Sequence, residues 1–271
     1  MKSIVFLIVL LWSNSTLAQQ KINSDITKST EKAILFLSGD DSDMEYSVYA
    51  VYHYLERLYQ VPTIYNDTFF IKKMALTDSG NLSRLEPFFC LTRATLPLSA
   101  AIFDRYEKES LDRYMAKTLA CNTIKLNKNF LSKIAAVSRR GKYELTHTYL
   151  MLQWLTELNC NCGNNKKLKN LQISLKQQML RLLESEANNW DDVYLEALAL
   201  LCYTDEKKYI TEEWLNAIVQ RQMPNGGWKY FNENANSLSA HPTVFALWIL
   251  LAYQSQTTPS IKWIYPNAQK K

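Results

Sequence analysis

Glycine is scarce in this chain. It has 271 residues and only six glycines, and each glycine falls at a break between apolar segments. Between these breaks the apolar residues recur at the spacing of a helix rather than alternating as in a strand. The lack of alternation excludes a β-rich fold, so we expect an all-α protein. The breaks are Gly39, Gly80, Gly141, Gly163 and the pair Gly226-Gly227.

A large excess of charge of one sign is also missing. The net charge is only +5, and basic residues are dense at just two places, Lys166–Lys169 and Lys270-Lys271. Both places are interpreted as solvated helix ends. A dedicated nucleic-acid surface needs a concentrated basic stripe, so no nucleic-acid partner is expected.

Apolar runs long enough to span a bilayer are also missing. Ile4–Trp12 is uninterrupted, but it is shorter than the roughly 20 residues that span a bilayer. Lys2 precedes it, and Thr16 and Ala18 place small residues three and one before a cleavage point. We therefore predict a signal peptide over 1–18 and a secreted or periplasmic mature protein without a membrane span.

Cysteine is limited to five residues, which are Cys90, Cys121, Cys160, Cys162 and Cys202. An exported chain meets oxidising conditions, so one or two disulfides are expected and one thiol is left over. Cys160-Asn-Cys162 lacks the spaced pairs of a zinc ribbon, and it is interpreted as a loop disulfide or as two free thiols. Neither a metal nor a cofactor is predicted.

The helical segments are of two kinds that alternate along the chain. Some are apolar on one face only, which is typical of surface helices, namely 125–138, 167–186 and 211–222. Each is followed by a segment that is apolar nearly all round and must be buried on every side. These buried segments are 148–155, 193–203 and 243–253. The alternation predicts a barrel of helical hairpins with the second helix of each pair inside.

A repeat of about 45 residues underlies this alternation. Aligning the buried segments places His147, Asp192 and His241 in one register. The segment 43–59 is expected to be another inner helix, which follows an outer helix at 28–38.

The remaining N-terminal part fits the repeat less closely. Residues 66–121 are expected to hold two further hairpins with breaks near Gly80 and Pro97. The mature chain, 19–271, is thus predicted to fold as a single domain of about five or six hairpins.

Two neighbouring stretches carry a family resemblance, Gln222-Met-Pro-Asn-Gly-Gly-Trp228 and His241-Pro-Thr-Val-Phe-Ala-Leu-Trp248. Together they resemble the QW repeat of the terpenoid cyclase and protein prenyltransferase superfamily. The resemblance implies an α/α toroid, which is a barrel with an inner and an outer ring of helices. In this repeat a glutamine ends an outer helix and a tryptophan covers the helix end, roles that Gln222 and Trp228 match. Gly226 and Gly227 supply the turn because glycine reaches backbone conformations closed to other residues.

The enzyme motifs of this superfamily are incomplete. The Asp-x-Asp-Asp motif of squalene-type cyclases is absent, and the nearest segment, Asp40-Asp41-Ser-Asp43, is interpreted as a helix start. In prenyltransferases an Asp and a Cys that open one inner helix bind zinc together with a His that opens the next. Either Asp191 or Asp192 matches the aspartate ligand and His241 matches the histidine, but Val193 occupies the cysteine position. The resemblance therefore implies a fold and no particular activity.

Polar residues at the starts of the inner helices form the candidate site. His147 and His241 flank Asp192 in the repeat, and the starts of inner helices ring one mouth of a barrel. A histidine–carboxylate pair can act as a general acid and base, and Asp191 stands beside it in the sequence. The alternative is that these residues cap helices and bond to neighbouring loops.

Glu196 is a further candidate because it interrupts an apolar helix, where a carboxylate is costly unless it is paired. It is interpreted either as a barrel-lining acid with a raised pKa or as a structural residue with a partner. Tyr149, Tyr194 and Trp248 are expected to line the wall below the mouth.

Two functions of different classes fit these residues. The first is a monomeric binding protein that holds a small molecule, a glycan or a protein at the barrel mouth. The alternative is a secreted carbohydrate-active hydrolase or lyase, since 16 tyrosines and seven tryptophans suit sugar stacking as well as helix packing. A terpenoid cyclase or prenyltransferase activity ranks third for lack of the acid motif. The first is preferred because no complete catalytic constellation can be assembled.

The predicted cleavage of the signal peptide can be tested by mass spectrometry. Mass spectrometry of the protein from its native host should show a chain that begins at Gln19, because Ala18 ends the cleavage motif. Soluble protein that retains Met1 would contradict the predicted export.

Overall fold

A computed structural model describes most of the chain as helix. The described residues are 2–39, 45–64, 85–95, 98, 100–185, 191–229, 238–255 and 261–265, and for 2–19 only the backbone is described. The expectation of an all-α protein is confirmed, because strands in this part amount to two short pieces. The segment Asp40–Asp43, the tail Lys270-Lys271 and the breaks expected near Gly80 and Pro97 lie outside the described residues.

The described part contains nine α-helices, three short 3-10 helices and one antiparallel pair of two-residue strands. The α-helices are α1 (Lys2–Leu37), α2 (Tyr46–Tyr59), α3 (Leu111–Leu119), α4 (Phe130–Val137), α5 (Lys142–Glu157), α6 (Asn165–Ser185), α7 (Asp192–Tyr203), α8 (Glu212–Arg221) and α9 (Ala240–Gln254). The 3-10 helices are Glu86–Leu91, Ala100–Arg105 and Lys207–Tyr209, and the strands are β1 (Trp228–Lys229) and β2 (Leu238–Ser239). Within the described residues, no helix has both the length and the hydropathy to cross a membrane.

Burial follows the predicted division into two kinds of helix. In α7 and α9 nearly every side chain is buried, as expected for segments that are apolar all round. In α6 the fully buried side chains are restricted to a stripe, as expected for a helix that is apolar on one face. The stripe consists of Leu168, Leu175, Met179 and Leu183.

The buried helices contact one another in an order that returns to its start. Helix α3 packs against α5, α5 against α7, α7 against α9, and α9 against α2. The 3-10 helix Glu86–Leu91 packs against α3, and the Tyr46 hydroxyl of α2 donates to Phe88 O in it at 3.2 Å. Three helices pack on the outside of this group. Helix α4 packs against α5, α6 packs against α5 and α7, and α1 packs against α9.

The Gln222–Trp228 turn joins α8 to α1. The Gln222 side-chain amide donates to Ser29 O at 2.8 Å and accepts from the Ser29 hydroxyl at 2.7 Å. Gly226 has a φ of +96°, and a Cβ there would lie 2.2 Å from Lys32 O. Only glycine fits this position, because it both tolerates the positive φ and lets the α1 backbone approach.

Trp228 joins the same turn to α8 and α9. Its indole N–H donates to Ile218 O at 3.0 Å, and its backbone N–H donates to the Thr243 hydroxyl at 3.0 Å. The ring is buried, so these bonds satisfy both polar groups where water cannot reach them.

The segment 261–265 packs into the core although it lies outside every helix. Arg57 donates to Trp263 O at 2.6 Å, Glu157 accepts from Trp263 N at 3.2 Å, and the Trp263 indole N–H donates to Ala50 O at 3.3 Å. The indole ring lies among four other aromatic rings, those of Tyr54, Trp154, Tyr203 and Trp248. This segment therefore links the ends of α2 and α5 to the core of α7 and α9.

A disulfide joins Cys121, just after α3, to Cys160, just after α5. Neither interpretation of the Cys160-Asn-Cys162 pair is therefore right, since Cys160 bonds a distant cysteine and Cys162 stays a free, buried thiol. Cys90 and Cys202 are free and buried as well.

Replacing Trp228 by alanine tests the role of the turn. The change removes a buried indole and its bond to Ile218 O, so the free energy of unfolding should fall by about 3–5 kcal/mol in urea denaturation. The control is Trp214→Ala on α8, because Trp214 is only partly buried and should cost less. Equal losses in the two variants would contradict the structural role of the turn.

Candidate functional site

A cavity of about 680 Å³ lies between the inner helices, mostly beside their N-terminal halves. Helices α2, α3, α5, α7 and α9, the 3-10 helix Glu86–Leu91 and the loop 106–110 all contribute to its lining. Trp263 lines it as well, so the segment 261–265 forms part of its wall. Its size is in the range of small-molecule sites in proteins.

The lining combines carboxylates with aromatic rings. Glu45, Glu107 and Asp112 are solvent-exposed members of it, whereas Glu196 is buried. The aromatic members are Tyr46, Phe88, Tyr106, Tyr143, Trp154, Phe245 and Trp263. The described lining residues include no lysine or arginine, so the cavity has a negative potential that disfavours anionic ligands.

Glu196 and His147 form the buried polar pair of the cavity. His147 Nδ1 lies 3.1 Å from Glu196 Oε1, and the two side chains are 12% and 4% exposed. The same Nδ1 lies 3.0 Å from Tyr143 O, one turn earlier in α5. A carbonyl oxygen only accepts, so this contact assigns the hydrogen to Nδ1 and leaves the lone pair on Nε2.

Burial sets the charge of this pair. It raises the pKa of Glu196 to about 8 and lowers the pKa of His147 to about 4. At pH 7 both side chains are therefore neutral, with the acid protonated and the imidazole free to accept a proton. A protonated carboxyl beside a neutral imidazole in one cavity is a pair that can serve as general acid and general base.

His241 and Asp192 form a second, looser pair at the starts of α9 and α7. His241 Nε2 lies 3.8 Å from Asp192 Oδ2, which is too far for a hydrogen bond. Burial raises the pKa of Asp192 and lowers that of His241, while each partner opposes the shift of the other. Within the described residues, no three His, Cys, Asp or Glu side chains form a metal-binding cluster.

The predicted site residues come together, but at two depths rather than one. Asp192 and His241 lie in the first turns of their helices, whereas His147 lies in the second turn of α5. The common register expected for these three residues is thus wrong for His147, because α5 begins at Lys142, before its apolar stretch. His147 instead pairs with Glu196, which lies one turn beyond Asp192.

Asp191 has a structural position. It is the N-cap of α7, and its carboxylate accepts a hydrogen bond from Tyr194 N at 2.8 Å. This bond satisfies one of the free N–H groups that every helix start leaves unpaired.

The three aromatic residues expected to line the wall do not line this cavity. Tyr149 donates to Thr204 Oγ1 at 3.2 Å, and Tyr194 packs against Trp214. Tyr149 follows His147 by two residues, and Tyr194 follows Asp192 by two residues. Two residues along a helix correspond to a rotation of about 200°, so each tyrosine lies on the opposite face from its site residue. Trp248 lies two turns beyond His241, in the aromatic core with Trp263.

Two groups of lining residues were missed by the sequence reasoning. Tyr143 and Phe245 lie four residues from His147 and His241, so helical periodicity around the two histidines would have identified them. Glu45, Glu107 and Asp112 lie in the part of the chain where the hairpin rhythm is weak, and no local signal marks them.

Glu196→Gln tests the protonation of the buried acid. The pKa of Glu196 is about 8 in the folded protein, whereas that of an unfolded glutamate is about 4.3, so wild-type stability falls as the pH rises through this window. Glutamine does not titrate. In urea denaturation, the free energy of unfolding of the variant should therefore rise relative to that of wild type as the pH increases from about 5 to 8. The slope of this difference should reach up to about 1.4 kcal/mol per pH unit.

The titration of His147 is present in both proteins and largely cancels in the comparison. A difference in the free energy of unfolding that does not change with pH would contradict a neutral, buried Glu196.

The chain has no significant match among models of known protein families, among curated proteins or among solved structures. The resemblance to toroid enzymes accordingly rests on the stretch Gln222–Trp228 and on the alternation of helices. What the cavity binds has to be inferred from the chemistry of its lining.

Proposed function

We propose that this protein is an exported α/α toroid that binds a neutral glycan in the acidic, aromatic-lined cavity. The observation that supports the proposal most strongly is the composition of the lining, which combines carboxylates and aromatic side chains without lysine or arginine among its described members.

The toroid is supported by burial and by helix contacts. The helices α3, α5, α7, α9 and α2 contact one another in a cyclic order, and one-faced helices pack outside them. Such a cycle is the arrangement that the inner ring of a toroid requires. The 3-10 helix Glu86–Leu91 takes the place between α2 and α3.

Export is supported by the N-terminal pattern and by the disulfide. Disulfides persist in secreted and periplasmic proteins and are rare in the cytosol, so the Cys121–Cys160 bond favours an oxidising compartment. Cleavage after Ala18 would also keep the contacts described for α1, since the described side chains of this helix begin at Gln20.

A neutral sugar matches the lining group by group. Its apolar C–H face packs on aromatic rings, and its hydroxyls donate to carboxylates and to a histidine lone pair. His241 lines the cavity with its Nε2 3.8 Å from the Asp192 carboxylate, so a hydroxyl bound to His241 lies near a second acceptor. An isoprenoid diphosphate fits least, because its negative charge would meet the carboxylates without a described cation in the lining.

Hydrolysis of the bound glycan is the second candidate, and one observation favours it. Glu196 and Asp192 lie one helical turn apart on α7, where Cβ atoms are about 5–6 Å from each other. Burial raises the pKa of both carboxyl groups, and that of Glu196 to about 8. A glycosidase needs one protonated and one ionised carboxyl group, and Glu196, which lines the cavity, supplies the protonated one.

The binding proposal is tested by thermal shift with neutral oligosaccharides. Panels of β-glucan, chitin, xylan and α-glucan fragments should include one that raises the melting temperature of the mature protein, because a ligand of the native state stabilises it. The double variant Asp192→Asn with His241→Gln should melt close to wild type and lose the shift, since it keeps size but removes charge and titration.

Glu184→Gln is the control, because it removes one negative charge on the exposed surface of α6. A shift that survives in the double variant, or no shift with any neutral glycan, would contradict the proposal. Release of reducing sugar from the bound glycan by wild type, with its loss in Glu196→Gln and retained binding, would identify the hydrolase.

A further inference from the structure

A second cavity, of about 390 Å³, has the opposite charge. Its described lining includes five cationic side chains, and Glu109 is the acid among them. The cations are Lys108, Arg113, Lys117, Lys125 and Lys133. The remaining wall is largely apolar, with Ile124, Leu126 and Phe130 as members.

Helix α3 and the loop before it separate the two cavities. Glu107 and Asp112 line the acidic cavity, whereas their neighbours Lys108 and Arg113 line the basic one. Acidic and basic residues alternate along this segment, so these two acidic side chains face one cavity and these two basic side chains face the other.

Internal partners account for only part of the positive charge. Lys133 Nζ lies 2.8 Å from Glu109 Oε1, and the same carboxylate accepts from the Tyr114 hydroxyl. Arg113 is held by Asp104 at 3.3 Å and donates to Tyr106 O at 3.1 Å. The acid within the cavity is thus already bonded.

Lys108, Lys117 and Lys125 are not members of these ion pairs, and Lys117 is the least exposed of the three. It is half-buried, and among the described residues no carboxylate lies within ion-pair distance of it. Burial, followed by repulsion from Arg113 and Lys133, lowers its pKa. A half-buried ammonium group repelled by two nearby cations is unfavourable, and an anion bound among them would remove that penalty.

We propose that this second cavity binds a phosphate or sulfate monoester, with Lys117 and Arg113 contacting the oxyanion. A tetrahedral oxyanion offers several acceptor oxygens to converging cations. The cavity is much larger than one such group, so its apolar wall accommodates the organic part of the ester. The site is independent of the glycan cavity, since the two share no lining residue.

Isothermal titration calorimetry with glucose 6-phosphate, glucose 6-sulfate and glucose tests this site on the mature protein. At least one of the two esters should bind, any heat from glucose should be the same in wild type and Lys117→Gln, and ester binding should weaken as salt is added. The ester that binds more tightly distinguishes a phosphate ligand from a sulfate ligand.

Lys117→Gln should weaken ester binding about tenfold or more, because a charge-assisted contact is lost. Its melting temperature without ester should equal or exceed that of wild type, since repulsion is relieved. Lys169→Gln removes the same charge from the exposed face of α6 and should leave the affinity unchanged. Lys125→Gln is a second cavity variant at an exposed position, and it should also weaken binding if Lys117→Gln fails to fold.

Absence of binding by both esters at millimolar concentration would overturn the proposal. So would equal affinities in wild type and the cavity variants, or an equal loss in Lys169→Gln. The neutral-glycan thermal shift should persist in Lys117→Gln, so failure of this site is distinguishable from failure of the glycan proposal.

Discussion

The cost of placing a charge between helices that are buried on every side is the constraint on which the rest of this structure depends. Helices α7 and α9 have almost no exposed side chains, so a polar group among them has to be neutral or paired. Glu196 meets this condition in both ways, because burial keeps it protonated and His147 lies 3.1 Å away. The same burial keeps His147 neutral, so the pair forms an uncharged acid and base within a cavity.

Charge is sorted by the wall that α3 forms. Acids of this wall line one cavity, and cations of the same wall line the other. The wall is held by the Cys121–Cys160 disulfide at the end of α3. Because a loop closed by a disulfide loses fewer conformations on folding, this bond stabilises the element that separates the two cavities.

The sequence predicted the parts of the fold that depend on local periodicity. Residues 193–203 and 243–253 are apolar on all sides, and both are buried helices. The register of His147 was missed because the first turn of α5, from Lys142 to Glu144, is polar and resembles a loop. Tyr149 was misplaced because two residues along a helix turn to the opposite face.

Long-range features had no local signal. Trp263 lies outside every periodic segment, although its ring is central to the aromatic core. The partner of Cys160 is 39 residues away, and a pairing over that distance cannot be read from spacing. The most direct test of the account is a pH titration of the Glu196 carboxyl carbon by ¹³C NMR, assigned with Glu196→Gln. A pKa near 8 is predicted, and an ordinary glutamate pKa, near about 4.3, would contradict the neutral buried acid at the centre of the cavity.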